Sequence, residues 1–224
     1  MRPSRTIVRH VVSGEAGCND AVVTETTMRE ERRFVTALFA DLVGSTALGE
    51  RLEPEELKLV VGDAVGRIVG AVEAFGGTIK DLAGDGVLAL FGAPVAHEDD
   101  PERALLAGLR IVEEMGEFAD DVRRSWGIDG FGVRVGVESG PVVVGAVGAG
   151  SRVEYGAMGD AVNVAARLQA QAEPGSILVG EGTSATRVVN LLNPEKRRHA
   201  RVVGEAPVYD IVVGNDEDQV SLRR

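Results

Sequence analysis

The hydrophobic pattern in the first half of the chain constrains the fold more than any other feature. The run Phe34–Asp41 is apolar apart from one threonine and ends on a charge, which is typical of a fully buried strand. In Pro54–Ala74, apolar residues recur at three- and four-residue steps and predict an amphipathic helix. Two short strands, Thr78–Leu82 and Val87–Phe91, then flank the pair Asp85-Gly86, which is a strong hairpin signal.

The remaining apolar segments predict further helices and strands. They are a helix capped by Asp99 or Asp100 with Pro101 in its first turn, strands over 130–138 and 142–147 around Gly140-Pro141, a helix capped by Asp160 and running through Ala170, and closing strands over Ser176–Val179 and Pro207–Val213. The order strand, helix, hairpin, helix, strand is that of a ferredoxin-like unit. We therefore expect an α+β fold with a ferredoxin-like βαββαβ core, an antiparallel-rich sheet bearing helices on one face, and additional C-terminal α/β elements.

The length and charge of the chain bound its organisation and partners. Its 224 residues fit one domain with tails, and we predict a disordered N-terminal extension over 1–30, one folded domain over 31–214 and a loose tail over 215–224. The formal net charge of −11 excludes nucleic acid and anionic membranes as favoured partners. An anionic small substrate stays possible, because bound cations reverse the local field.

The cysteine content and the apolar runs indicate a cytoplasmic protein. Cys18 is the only cysteine, so no disulfide forms within the chain, which fits a reducing compartment. No apolar run in the sequence is long enough to span a membrane. The N-terminal segment lacks the continuous apolar stretch of a secretory signal.

Two aspartates are candidates for a metal site. Asp41 ends the buried strand, where an unpaired carboxylate is costly, and Asp85 lies in the hairpin beside that strand. Taken alone, Asp41 could be a strand-end cap and Asp85 an ordinary turn residue. Together on neighbouring strands they predict a magnesium site, since Mg²⁺ needs few carboxylates besides water and substrate phosphate. The small-residue loop Leu42-Val43-Gly44-Ser45-Thr46 could cradle phosphate oxygens with its N–H groups.

Three motifs in this order resemble those of class III adenylate and guanylate cyclases. They are the stretches Phe39–Thr46, Gly84–Gly92 and Gly159–Arg167, and the resemblance covers about residues 32–213. It implies a cyclase that makes 3′,5′-cyclic AMP from ATP for intracellular signalling. Attack of the ribose 3′-hydroxyl on the α-phosphate, with loss of pyrophosphate, would be assisted by two Mg²⁺ or Mn²⁺ ions per site.

The resemblance also assigns roles to individual residues. It makes Asp41, Asp85 and the Leu42 carbonyl the metal ligands. Asn163 would orient the ribose, and Arg167 would stabilise charge on the α-phosphate in the transition state. In this family the metal ligands and the Asn/Arg pair of one site come from different subunits, which implies a homodimer with composite active sites.

The chain departs from the family at the positions that contact the purine. Adenylate cyclases usually carry a purine-contacting lysine four residues before the second metal aspartate, where this chain has Asp81, with Lys80 one place earlier. Lys80 could substitute only if a bulge shifts the strand register. The partner position is Gly156, which has no side chain.

These departures leave alternatives open. ATP is the expected substrate, and GTP or loose selectivity between the two is the second interpretation. A third interpretation is a catalytically weak module that binds nucleotide for regulation. A family lysine that contacts the triphosphate has four candidate counterparts, namely Lys196, Arg197, Arg198 and Arg201.

Overall fold

The computed structural model describes residues 6–9, 25–28, 31–149, 152–183, 201–203 and 209–212. Its strands are β1 (Thr6–Arg9), β2 (Glu25–Met28), β3 (Glu31–Val43), β4 (Thr78–Ala83), β5 (Gly86–Phe91), β6 (Gly132–Ala149), β7 (Arg152–Met158), β8 (Ser176–Val179), β9 (Arg201–Val203) and β10 (Tyr209–Val212). Its helices are α1 (Ser45–Gly49), α2 (Pro54–Ala74), α3 (Asp100–Trp126) and α4 (Asp160–Gln171), with a 3₁₀ turn at Glu181–Thr183.

The main sheet has the predicted ferredoxin-like core. Its strand order is β4-β5-β3-β6-β8-β10-β9, and β7 also pairs with β6. The first four strands of this order pair antiparallel throughout, whereas β6 and β8 are parallel. Two strand–helix–strand units, β3–α2–β4 and β5–α3–β6, are joined by the β4–β5 hairpin and produce this order. The predicted α+β fold with additional C-terminal elements is confirmed.

Apolar residues cover both faces of the sheet. On one face α2 and α3 pack against the sheet in what we call the α2/α3 core, which includes Leu38, Ala40, Ile68, Val72, Ala89, Ile111 and Met115. On the other face α4 packs in a smaller α4 core, which includes Val35, Ala37, Leu90, Val142, Ala161 and Ala165. The prediction of helices on one face was therefore incomplete, because α4 covers the second face with alanines small enough to approach the strands.

Local signals explain the ends of the two long helices. Glu53 and Glu56 form a capping box at the start of α2, with Pro54 as its first residue, a position that needs no N–H donor. Asp99 is the N-cap position of α3 without a side-chain capping bond, and Gly127 ends α3 in a left-handed conformation, which glycine adopts without strain. Helix α2 begins and ends where the sequence predicts, and α3 begins where the sequence predicts.

The prediction of two strands around Gly140-Pro141 was wrong, because β6 runs through this dipeptide without interruption. On one edge β6 pairs with β3, where Phe34 is opposite Pro141. On its other edge β8 ends opposite Val137, and β7 ends opposite Val143. Pro141 lies in the gap between these two partners, so its missing N–H removes no bond from that edge.

Several other boundaries differ from the prediction. Gly159 is the N-cap of α4, and Asp160 is the first helical residue, so Asp160 does not cap the helix. The strands β7 and β9 were not predicted. Within the segment predicted to be disordered, β1 and β2 form a separate two-stranded antiparallel sheet, and the domain boundaries stay a prediction. Among the described residues, no helix has the length and apolar character needed to cross a bilayer.

Candidate active site

The register of the central strands brings the two candidate metal aspartates to one edge of the sheet. Asp41 of β3 is directly opposite Gly86 of β5. Asp85 is the preceding residue, in the two-residue turn that joins β4 to β5. Asp41 therefore lies beside the turn that carries Asp85, as the sequence predicts.

One oxygen of the Asp41 carboxylate is held by two donors. Arg134 of β6, the cross-strand partner of Asp41, donates from Nη2 to Oδ2 at 3.2 Å. Gln169 of α4 donates from Nε2 to the same oxygen at 3.3 Å. Both side-chain hydrogen bonds found for Asp41 in the described part of the chain thus end on Oδ2.

The second oxygen of Asp41 faces the hairpin. Oδ1 lies 3.4 Å from the position that a β-carbon would take at Gly86, the residue that follows Asp85. Among the described residues no cluster of three or more His, Cys, Asp or Glu side chains could enclose a metal ion. Two neighbouring carboxylates, with Asp41 Oδ1 facing the hairpin, instead fit a cation such as Mg²⁺, which keeps water and substrate oxygens as further ligands.

The segment after Asp41 is less of a loop than the sequence predicts. Leu42 and Val43 continue β3, and Ser45 and Thr46 begin the short helix α1, so Gly44 alone makes the turn. Gly44 has φ 84°, and a β-carbon there would lie 2.9 Å from the Gly130 carbonyl oxygen. Both the positive φ and this close approach favour glycine at the position. A phosphate cradle over residues 42–46 stays a prediction, with its free N–H groups limited to the start of α1.

The two predicted catalytic residues of α4 lie away from the aspartates of the same chain. Asn163 and Arg167 are both exposed, and they share one face of the helix because they are four residues apart. Gln169, which contacts Asp41, is only 9% exposed and lies roughly 200° around the helix from Arg167. No hydrogen bond or ion pair among the described residues joins Asn163 or Arg167 to Asp41 or Asp85.

A β-bulge occurs at the purine-contacting candidates. The pairing of β4 with β5 shifts between Ile79, which is opposite Ala89, and Asp81, which is opposite Leu88. Lys80 is therefore the extra residue. Ile79 packs with the α2/α3 core and Leu88 with the α4 core. Lys80 follows Ile79 in the strand and therefore points to the opposite face, which is the face of the α4 core. Asp81 is opposite Leu88 and so lies on that same face, which places Lys80 and Asp81 on one side of the sheet.

That face of the sheet is the one that carries Asp41. Leu88 of β5 is opposite Phe39 of β3, and Phe39 packs with the α4 core. Asp41 is two residues further along β3 and therefore on the same face. The bulge that the sequence interpretation required for Lys80 is present, and Asp81 is exposed beside it.

The other predicted substrate contacts are only partly described. Gly156 pairs with Gly145 in the β6–β7 ladder. Lys196, Arg197 and Arg198 lie outside the described residues, and Arg201 is the first residue of β9. Their roles stay predictions.

Two residues of the site were missed from the sequence, namely Arg134 and Gln169. A signal existed for Arg134, since it is the one charged residue between Phe131 and Val137 in an otherwise apolar strand. Its cation faces Asp41 across the ladder, and both side chains are about one-third exposed, at 30% and 31%. Gln169 carried no signal, because its buried position depends on how α4 lies on the sheet.

Comparison with known proteins assigns the family. The model of the adenylate and guanylate cyclase catalytic domain matches residues 28–213. The chain belongs to this family. Adenylate cyclase 1 of Rhizobium meliloti (strain 1021) is 33% identical over 186 residues, which are 82% of this chain and 28% of that protein. Adenylate cyclase of Anabaena cylindrica is 33% identical over 140 residues, 61% of this chain and 27% of that protein. This cyclase domain thus spans less than a third of either relative.

Solved structures of the family share the fold. The adenylyl cyclase CyaB from P. aeruginosa has a TM-score of 0.69 and 26% identity, covering 85% of this chain and 100% of that chain. The guanylyl cyclase Cya2 has a TM-score of 0.66 and 30% identity, covering 87% of this chain and 99% of that chain. This chain therefore shares its fold with an adenylyl cyclase and with a guanylyl cyclase.

Proposed function

We propose that this cyclase domain converts ATP into 3′,5′-cyclic AMP and pyrophosphate for intracellular signalling. The observation that carries the proposal is the pairing of Asp41 with Gly86, which brings Asp41 and Asp85 to one edge of the sheet. The two adenylate cyclases named above support ATP as the substrate.

Cyclisation of the nucleotide requires divalent metal ions, and the residues of this site fit such ions. Two Mg²⁺ or Mn²⁺ ions, held by Asp41, Asp85 and the Leu42 carbonyl, would supply charge stabilisation at the 3′-oxygen and the triphosphate. Asp41 Oδ1 lies beside Gly86, the residue that follows Asp85, while Arg134 and Gln169 donate to Oδ2. Arg134 adds a fixed cation beside the position expected for the triphosphate, where it would attract phosphate oxygens.

The remaining groups would act from a second copy of the chain. Asn163 would orient the ribose, and Arg167 would neutralise charge that develops on the α-phosphate as the 3′-oxygen attacks and pyrophosphate leaves. Both side chains are exposed on α4 and neither contacts Asp41 in its own chain. This arrangement supports a homodimer in which each site combines the aspartates of one subunit with the α4 pair of the other.

GTP is the second candidate substrate, and the exposed Asp81 beside the bulge is the observation that favours it. The bulge offers both a cation, Lys80, and a carboxylate, Asp81, on the face that carries Asp41. A carboxylate accepts from the N1–H and amino group of guanine, whereas an ammonium group donates to the ring nitrogens of adenine. We expect ATP to be preferred and GTP to be a weaker substrate.

A product assay tests the proposal. The protein is incubated at high concentration with ATP or GTP and with Mg²⁺ or Mn²⁺, and products are identified chromatographically. We expect cyclic AMP as the main product. Lys80→Ala should lower the ATP:GTP rate ratio and Asp81→Ala should raise it, with Lys58→Ala, at an exposed position of α2, as the control. The absence of any cyclic product from either nucleotide would contradict the proposal and favour a nucleotide-binding regulatory module.

A further inference from the structure

Gln169 is a buried polar residue to which the reaction described above assigns no contact with the substrate. It is 9% exposed, and its amide Nε2 lies 3.3 Å from Asp41 Oδ2. It lies on the opposite side of α4 from Arg167 and therefore belongs to the interior of its own subunit. A buried amide is costly unless it is hydrogen-bonded, and this one is bonded to the candidate metal ligand.

The main chain of Gln169 is fixed by close packing of α4 on the sheet. A β-carbon at Gly136 of β6 would collide with the backbone carbonyl oxygen of Ala165 and with the backbone nitrogen of Gln169. Helix and strand backbones are therefore in direct contact at this point. Arg134 Nη1 also approaches the Ala170 carbonyl oxygen at 3.5 Å, which adds a second link between β6 and the last turn of α4.

A single donor would not fix the orientation of the Asp41 carboxylate. Rotation about the terminal bond of an aspartate is broad and nearly two-fold, so a carboxylate held by Arg134 alone could pivot and exchange its two oxygens. Gln169 approaches the same oxygen from a different element, α4, whereas Arg134 approaches from β6. Two donors from two directions restrict that rotation and leave Oδ1 beside Gly86, the residue that follows Asp85.

The neutrality of Gln169 is important for a cation site. A second cation at this position would repel a bound divalent ion, whereas an amide holds the carboxylate without adding charge. Outer-shell partners of metal ligands typically change metal affinity when they are removed. We propose that Gln169 is a positioning residue of the metal site, which holds Oδ2 of Asp41 so that Oδ1 stays available beside Gly86 and the turn that carries Asp85. The inference rests on the proposed metal role of Asp41.

Binding of Mn²⁺ alone tests the inference without turnover. Free Mn²⁺ is titrated by electron paramagnetic resonance against the wild-type chain, Gln169→Met, Gln171→Met and Asp41→Asn. Gln169→Met keeps the length of the side chain and removes the donor, and Gln171→Met makes the same exchange at an exposed position of the same helix. We expect the Kd for Mn²⁺ to rise by roughly 10-fold in Gln169→Met and to change by less than about twofold in Gln171→Met.

A second readout separates positioning from damage to the fold. With ATP, the concentration of Mn²⁺ that gives half-maximal rate should rise in Gln169→Met, and excess Mn²⁺ should restore most of kcat. If Gln169→Met loses the native circular dichroism spectrum, Gln169→Asn replaces it, since it keeps the amide but withdraws it by one methylene.

The outcomes distinguish the inference from the proposed function. Weaker Mn²⁺ binding in both Asp41→Asn and Gln169→Met supports it. Weaker binding in Asp41→Asn but not in the Gln169 variants overturns the positioning role and leaves the metal assignment in place. Unchanged binding in Asp41→Asn overturns both, and an equal loss in Gln171→Met also overturns the positioning role.

Discussion

Asp41 and Glu138 are two carboxylates on the same face of the central strands, and they are enclosed to very different degrees. Asp41 is opposite Arg134, and Glu138 lies four residues further along β6, opposite Ala37. The Asp41 side chain is 31% exposed, whereas Glu138 is 7% exposed. The two sites are roughly 13 Å apart along the strand, with α4 packed between them.

The surroundings of Glu138 enclose both oxygens of its carboxylate. The Ser139 N–H donates to Oε1 at 2.9 Å, and the Gly182 N–H also donates to the carboxylate. A β-carbon at Gly180 or at Gly182 would collide with the Glu138 oxygens. Burial is the largest cause that raises the pKa of Glu138, and these two backbone donors oppose it.

The contrast separates a structural carboxylate from one suited to a ligand. Glu138 is closed in by backbone groups and anchors the 3₁₀ turn after β8 to the sheet. Asp41 is held on one oxygen by side chains and leaves the other facing a turn with a second carboxylate. Burial and pKa alone would select Glu138 as the functional group, whereas the free oxygen and the neighbouring Asp85 select Asp41.

The largest expected difference between the two carboxylates is in catalysis. Asp41→Asn should lower the rate of cyclic AMP formation by more than about 100-fold, because it removes the proposed ligand of the metal ions that would stabilise the transition state. Glu138→Gln should keep the rate within a few-fold of wild type. Rates are measured at saturating ATP and Mn²⁺ on variants with native circular dichroism spectra. A larger loss in Glu138→Gln than in Asp41→Asn would reverse the comparison.

The enclosure of Glu138 should appear as a steric penalty. Gly180→Ala forces a methyl group onto Glu138 Oε2 and should lower the free energy of unfolding by about 1–3 kcal/mol, measured by urea denaturation. Gly62→Ala is the matched control, since a β-carbon there meets nothing within 4 Å, and it should raise stability by up to about 1 kcal/mol.

A double mutant locates that penalty. Adding Glu138→Ala to Gly180→Ala should recover part of the loss, because the atom that the methyl group strikes is gone. Equal losses with and without Glu138 would show that the collision with this carboxylate does not cause the penalty.

The smallest expected effect is a pH dependence of stability from Glu138. Because burial raises its pKa in the native state, the native chain binds more protons than the unfolded chain in the window above the ordinary glutamate pKa of about 4.3. The contribution of Glu138 to stability therefore falls as pH rises through that window. Glu138→Gln lacks this dependence, so its free energy of unfolding relative to wild type should increase as pH rises to neutral. A constant difference between the two proteins across this range would contradict the raised pKa.

The sequence predicts the core of the fold because its signals are local. The amphipathic period of Pro54–Ala74 and the Asp-Gly turn at 85–86 define a helix and a hairpin, and their order leaves few topologies. The same reasoning failed at Pro141, because whether a proline interrupts a strand depends on which neighbours pair beside it. That information is present only in the assembled sheet.

The site was predictable to a similar extent. Asp41 and Asp85 come from motifs with a fixed place in the hairpin and strand, so their convergence follows from the register. Gln169 reaches Asp41 only because α4 rests directly on Gly136, a tertiary contact without a sequence period. The bulge at Lys80 was required by the sequence interpretation but could not be deduced from it, since no glycine or proline marks it.

Mixing two inactive variants tests the central claim most directly. Asp41→Ala removes the proposed metal ligand and Arg167→Ala removes the proposed transition-state cation, so each protein alone should make almost no cyclic AMP. If each site combines Asp41 of one subunit with Arg167 of the other, half of the randomly mixed dimers contain one intact site, so the mixture should recover about a quarter of the wild-type rate. No recovery in mixtures shown to exchange subunits, for chains that each retain the native fold, would contradict the composite site.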